Sequence, residues 1–156
     1  MLIRLVTRAV LSTLLFPALT ACMPTIDVRV AQNPGVDLAA YRTFAFAGAY
    51  DASHPVQEAV RVELEKRNYV YSAESPDLRV KYAFSYDRIE KGSDIGSRLG
   101  DRATISGRLV IDMTDTRANA VVWKGTAEGP LDDEAIKDRA VVAHAVGWIL
   151  AGVAAL

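Results

Sequence analysis

Apolar residues recur along this chain with two different periods, and each predicts an element. Leu78, Val80, Tyr82, Phe84 and Tyr86 alternate with Arg79, Lys81, Ala83 and Ser85. A period of two puts one row on a buried face and the other in water, so it predicts a strand in a sheet with one wet face. The stretch 104–115 repeats the pattern with Ile105, Leu109, Ile111 and Met113. In 120–127, Val121 and Trp123 are set against Val122 and Lys124. The link Asp115-Thr116-Arg117-Ala118-Asn119 is short and polar, so these two strands read as an antiparallel hairpin. Phe44 and Phe46 share one side of a strand over 42–47, and Tyr69-Val70-Tyr71 makes a further short strand. Ile26, Val28 and Val30 alternate with Asp27 and Arg29 amid Pro24, Asn33, Pro34 and Gly35, which reads as a tether holding one short strand.

Helical spacing appears twice. Val56, Ala59, Val60 and Leu64 fall at i, i+3, i+4 and i+8. Ser53 is the expected N-cap, and Pro55 is tolerated in the first turn. Lys66 and Arg67 suit the C-terminal end of the dipole, and Asn68 suits the left-handed position beyond it. The last helix is expected to start near Asp132, with Leu131 and Ile136 forming a hydrophobic staple and Asp133 and Glu134 complementing its N-terminus. It runs toward Leu156 with no proline. From Ala140 onward His144 is the one clearly polar residue, so this helix is apolar nearly all round and must be covered on more than one side. The expected cover is the sheet on one side and the first helix on another. The order β-β-α-(β)-β-β-β-α predicts an α+β fold, an antiparallel β-sheet with two main helices packed on one face.

Composition narrows the function classes. In 156 residues, 51% are apolar and 24% charged, which is ordinary for one globular domain. Eighteen basic residues against 19 acidic ones leave no electrostatic footprint for nucleic acid. The single cysteine can close no intramolecular disulfide and build no thiolate zinc site.

That cysteine closes an N-terminal signal. Arg4 and Arg8 form a basic region, and residues 9–19 are almost wholly apolar but too short for a bilayer span, which needs about 20 residues. The run ends in Leu19-Thr20-Ala21-Cys22, which resembles the bacterial lipobox. That resemblance implies cleavage between Ala21 and Cys22, a diacylglyceryl group on the Cys22 thiol and acylation of the new amine, with palmitate as an expected chain. Cleavage removes two arginines and no acids, leaving 135 residues with 16 basic and 19 acidic side chains. Met23 follows Cys22, where an aspartate would signal retention in the inner membrane of enteric bacteria. The resemblance therefore implies the outer membrane, facing the periplasm, with the inner membrane as the alternative. The organisation reads as a cleaved lipoprotein signal peptide over 1–21, a lipidated tether over 22–37 and a single α+β domain over 38–156.

Within the domain, Asp37-Leu38-Ala39-Ala40-Tyr41-Arg42-Thr43-Phe44-Ala45-Phe46 is followed by a helix ending in Leu64-Glu65-Lys66-Arg67-Asn68-Tyr69. Then come Pro76-Asp77-Leu78-Arg79-Val80-Lys81-Tyr82, Gly107-Arg108-Leu109-Val110-Ile111-Asp112 and Val122-Trp123-Lys124-Gly125-Thr126-Ala127. In order and spacing this resembles the bacterial lipoprotein family called domain of unknown function 4136. Two departures are Asn68, where the family usually has glycine, and the absence of its proline after the last helix. The resemblance implies an envelope lipoprotein with an α+β fold and carries no catalytic residues over.

No catalytic constellation stands out. His54 and His144 are 90 residues apart without an H-x-x-x-H or H-x-x-E partner, so no metal or cofactor is expected. His144 is expected to be a core histidine. There is no G-x-S-x-G. Asp132, Asp133 and Glu134 are explained by a helix N-terminus, and Asp112 and Asp115 by a strand and its turn. The glycine-rich stretch 92–100 fits neither nucleotide-binding pattern and reads as a long hairpin loop. Trp148 on the last helix, with Arg98 and Leu99 in the loop over 87–103, are the candidate contact residues for an envelope protein partner or a second copy. The expectation is a lipid-anchored binding or structural module rather than an enzyme. The alternatives are an envelope hydrolase acting on cell-wall sugars, which needs two carboxylates in a pocket, and a carrier of small apolar ligands or lipid, which needs an apolar cavity between sheet and helices.

Overall fold

The computed structural model describes residues 26–89 and 104–153, with side chains over 26–86 and 106–153. The expected loop residues Arg98 and Leu99, the glycine-rich stretch 92–100, and Ala21 and Cys22 lie outside the described residues. The elements are β1 (Asp27–Gln32), β2 (Thr43–Phe46), α1 (Pro55–Glu65), β3 (Val70–Tyr71), β4 (Leu78–Ile89), β5 (Thr104–Asp115), β6 (Ala120–Gly129) and α2 (Arg139–Leu150). The six strands form one sheet in the order β1-β6-β5-β4-β2-β3.

The α+β architecture stands, but the sheet is mixed rather than wholly antiparallel. β1, β6, β5 and β4 pair antiparallel, whereas β2 runs parallel to both β4 and β3. The reason is the α1 crossover. A chain that leaves β2, traverses a helix and re-enters beside it arrives in the same direction, and only tight turns reverse a strand. The short strand read as part of the tether is an edge strand of the sheet, with all six residues in register on β6.

Register aligns the core residues in rows: Val80–Met113–Trp123, Tyr82–Ile111–Gly125–Val30 and Phe84–Leu109–Ala127–Val28. Leu109, Ile111, Met113 and Trp123 are fully buried in these rows, beside Phe44 and Leu78. The opposite face carries Lys81, Asp112 and Lys124, and Ser85, Arg108 and Glu128, in matching rows. Strand β6 departs from strict alternation. Met113 faces Trp123 while the next residue, Thr114, faces Val121, so Val122 is an inserted bulge residue. Val121 and Trp123 therefore do not share a face: Trp123 is buried and Val121 is exposed on the polar side.

Helix α1 buries Val56, Ala59, Val60 and Leu64 as their spacing requires. It starts at His54, not Ser53, because Asp51 captures both the N–H and the hydroxyl of Ser53 in the preceding turn. Its end is a Schellman turn. Asn68 has φ 67°, the Tyr69 N–H reaches the Leu64 carbonyl at 3.1 Å and the Asn68 N–H reaches the Glu65 carbonyl at 3.0 Å.

Helix α2 begins later than the sequence suggests. Asp132 caps a separate turn, accepting from the N–H groups of Glu134 and Ala135. Asp138, in an extended conformation, then caps α2 itself through the N–H groups of Ala140 and Val141. The break lets Leu131 stay against Gly107 while Ile149 seats on Gly125, two anchor points that a single continuous helix does not serve. Buried Val142, Ala145, Val146, Ile149 and Leu150 face the sheet and α1. α2 packs on α1, β6 and β1. Among the described residues no helix is long and apolar enough to cross a membrane.

Candidate functional site

Three regions compete for a functional role: the carboxylates, the clefts and the outer side of α2.

Several of the described carboxylates are tied into structure. Asp77 opens β4, and its Oδ2 accepts from the N–H groups of Arg42 and Thr43 at 3.0 and 3.1 Å and from Thr43 Oγ1 at 3.0 Å. Asp115, at the end of β5, accepts from Arg117 N–H, Ala118 N–H and the Tyr41 hydroxyl at 2.7, 3.0 and 2.9 Å. The Arg42 N–H bond holds Asp77 below the usual carboxylate range, and the Ala118 N–H followed by the Tyr41 hydroxyl does the same for Asp115. Burial works to raise Glu63, but hydrogen bonds from Lys66 and Arg67 outweigh it and leave this group lowered too. Ser53 lowers Asp51. Asp112 lies 3.4 Å from Lys124 on the polar face. Asp132 caps its turn, and Asp133 and Glu134 are exposed. Asp51, Glu63, Asp77 and Asp115 are thus biased toward the ionised form as acceptors, the reverse of what a general acid requires. The bracket at Asp77 was not visible in the sequence, because its partners lie 34 and 35 positions away and no local spacing marks them.

The clefts are shallow. One of about 370 Å³ lies where β2 ends beside β4, lined by Phe46, Gly48, Gln57, Val80, Lys81 and Tyr82. Its buried polar residue, Gln57, is committed at both ends: Oε1 accepts from Asp51 N–H at 2.7 Å and Nε2 donates to the Tyr82 hydroxyl at 3.2 Å. Another of about 170 Å³ runs between α1 and α2. Between β6 and α2 there is no space at the row of Gly125, where an added Cβ would lie 2.4 Å from both Ile149 Cγ2 and Trp123 Cη2. Among the described residues no group of three histidine, cysteine or acidic side chains is placed to hold a metal. Beside β2, Tyr50 stacks on Phe46 at 5.6 Å, and Arg61 lies over the Tyr50 and Tyr71 rings at 5.1 and 5.6 Å. That cage already holds its own cation.

The outer side of α2 is different. Trp148, one of the expected contact residues, is 41% exposed. His144 is not a core histidine. It is exposed, and its ring meets Trp148 edge-on with centroids 4.2 Å apart. The helix sinks its Val142–Ile149 side between sheet and α1, which turns position 144 outward, although the sequence around it is apolar. Gly152, just beyond α2, lies over β1: its added Cβ would sit 3.6 Å from the Val30 methyls. Val30 itself remains 45% exposed. This juxtaposition of α2 with an edge strand was not visible in the sequence, which placed Val30 in a tether.

No curated protein is detectably similar in sequence. Among solved structures, a PDZ domain protein from Parabacteroides distasonis shares the fold with TM-score 0.59 and 17% identity over 81% of this chain. This chain spans 36% of that one. PelC from Paraburkholderia phytofirmans, solved as a dodecamer, matches with TM-score 0.50 and 13% identity over 85% of this chain and 100% of its own. The likeness in both cases is one of fold. The model of the family described as a domain of unknown function (DUF4136) matches residues 28–152, most of the chain, and the chain belongs to that family.

Proposed function

We propose that this chain is a lipid-anchored cell-envelope protein whose domain is a binding or structural module rather than a catalyst. The observation that carries the reading is the sequence Leu19-Thr20-Ala21-Cys22 at the end of an apolar run, with the first strand starting only five residues after Cys22. Lipid on Cys22 would hold it at the outer membrane facing the periplasm, and more than one acyl chain makes such anchoring stable. The lowered carboxylates favour a non-catalytic role over sugar hydrolysis, and the tight packing of Ile149 and Trp123 at Gly125 disfavours an apolar carrier. A homo-oligomer belongs to the same proposal, since the similarly folded PelC assembles as a dodecamer.

The test is expression of the tagged chain and its Cys22→Ser variant, with membrane fractionation and labelling by a palmitate analogue. The wild type should label and sediment with outer membranes, and the variant should be unlabelled and soluble. A wild type that takes up no label refutes the anchor. Light scattering on the detergent-solubilised protein reads the assembly, and a monomeric mass removes that part of the proposal.

A further inference from the structure

Two of the large apolar side chains left in water among the described residues share one flank, and that flank lies nearest the anchor. Val30 belongs to the core-facing row Tyr82–Ile111–Gly125–Val30, yet it is 45% exposed, because α2 is seated over Gly125 and the chain beyond it only brushes Val30 at Gly152. Trp148, 41% exposed, lies on the side of α2 away from Ala143 and Gly147, which face α1, while Ile149 faces the sheet at Gly125, so Trp148 is on the β1 side of the helix. The other exposed large apolar residues are dispersed. Val62 is on α1, Val70 is at the far edge of the sheet, Tyr86 is on β4, and Val121 is on the polar face beside the β5–β6 turn.

The path of α2 relates this flank to the start of β1. β6 ends at Gly129, next to where β1 begins, since Glu128 pairs with Asp27. The chain then turns through 130–138 into α2, which reaches Gly125 at Ile149 and Val30 at Gly152. α2 therefore lies over β6 and α1, and at its C-terminal end the chain crosses to β1, since Gly125 and Val30 are register partners.

Chain length decides which way this flank faces. Asp27 lies five positions after Cys22, and five residues span at most about 18 Å when fully extended. A domain of this size is roughly 35 Å across, from a radius of gyration of about 14 Å. The tether is shorter than the domain is wide, so an acylated Cys22 holds the β1 side against the bilayer. Among the described residues the nearby basic groups are paired, Arg29 with Asp27 and Arg108 with Glu128. What the flank offers is apolar surface and an indole, the side chain enriched where headgroups meet acyl chains.

We propose that the flank formed by β1 and the outer side of α2 rests on the surface of the anchoring membrane, with Trp148 entering the headgroup–acyl boundary. This rests on the lipid-anchor reading above. The contact fixes the orientation of the domain and leaves the far edge, β3, and the polar sheet face open to the periplasm.

The test uses the full lipidated protein reconstituted in phosphatidylethanolamine–phosphatidylglycerol vesicles whose acyl chains carry bromine near the headgroup. Trp123 is fully buried, so the difference between wild type and Trp148→Phe isolates the emission of Trp148. That emission should shift to the blue and fall by about half relative to unbrominated vesicles, as expected for a group lying about 5–10 Å into the boundary. Val30→Glu should float with the vesicles and lose most of the quenching. Flotation with no quenching of Trp148 overturns the orientation and leaves the anchor standing. Failure to float overturns the anchor itself. A Trp148-dependent dimer mass in detergent, with no bromine quenching, would assign the flank to a second copy and overturn the proposal.

Discussion

Replacing Gly107 with alanine is the sharpest test of how this fold is closed. Gly107 lies on β5 opposite Tyr86 and Gly129, where Leu131 crosses over the sheet. A Cβ there would lie 1.8 Å from the Leu131 carbonyl oxygen and 2.6 and 2.7 Å from its Cβ and carbonyl carbon. Favourable carbon contacts sit at about 3.5–4.0 Å, so the Leu131 backbone has to retreat by an ångström or more. Two things resist that retreat. The Leu131 N–H is held by the Gly129 carbonyl at 2.7 Å, and its side chain is fully buried. Overpacking a core costs about 1–3 kcal/mol. Full loss of the Leu131 burial would add about 1.5–3 kcal/mol. With both effects the expected loss is about 2.5–6 kcal/mol, a large part of the roughly 5–15 kcal/mol that holds a typical domain together. Urea unfolding followed by circular dichroism, on the mature-length chain carrying Cys22→Ser, reads it directly. Gly48→Ala is the control. Nothing lies within 4 Å of a Cβ at position 48, so it should change stability by no more than about 0.5–1 kcal/mol, in the stabilising direction. A Gly107→Ala protein within about 1 kcal/mol of wild type, with an unchanged urea slope, would refute the packing argument.

Gly125→Ala should cost about 1–3 kcal/mol, because its Cβ meets Ile149 and Trp123 side chains rather than backbone. In that background Ile149→Ala should cost less than it does alone, and strictly additive losses in a double-mutant cycle would count against direct contact. Asp77 and Asp115 both ionise more readily folded than unfolded. Their stabilisation is therefore complete above the unfolded value near about 4 and is lost as pH falls through the lower folded values. Asp77→Asn should flatten the acid limb of the stability curve below about pH 4, and an equally steep limb in the variant would exclude this role. Arg61→Ala removes the cation from the Tyr50 and Tyr71 faces and should cost about 0.5–2 kcal/mol in the same urea assay, with no measurable loss arguing that the stacking is incidental.

The sequence by itself determined the elements whose burial follows from local spacing. The alternation in β4 and β5, the stripe of α1 and the left-handed turn at Asn68 are all set by residues within a few positions of one another, and all stand in the structure. The likeness to the DUF4136 family was legible for a related reason: segment order and spacing survive in sequence even where no single motif is specific. Only the tertiary structure decided the rest, wherever the deciding partner is distant in the chain. The β6 bulge depends on fitting Trp123 opposite Met113. The second cap at Asp138 depends on two seats, at Gly107 and Gly125, that the sequence shows merely as glycines in strands. β2 runs parallel because of where the α1 crossover returns. His144 points outward because its helix buries the opposite side, and Val30 joins Trp148 on one flank because the chain at the end of α2 crosses to an edge strand that looked like part of a tether. Hydrophobic burial is non-directional, so a chain can announce which residues seek cover long before it reveals which neighbours provide it.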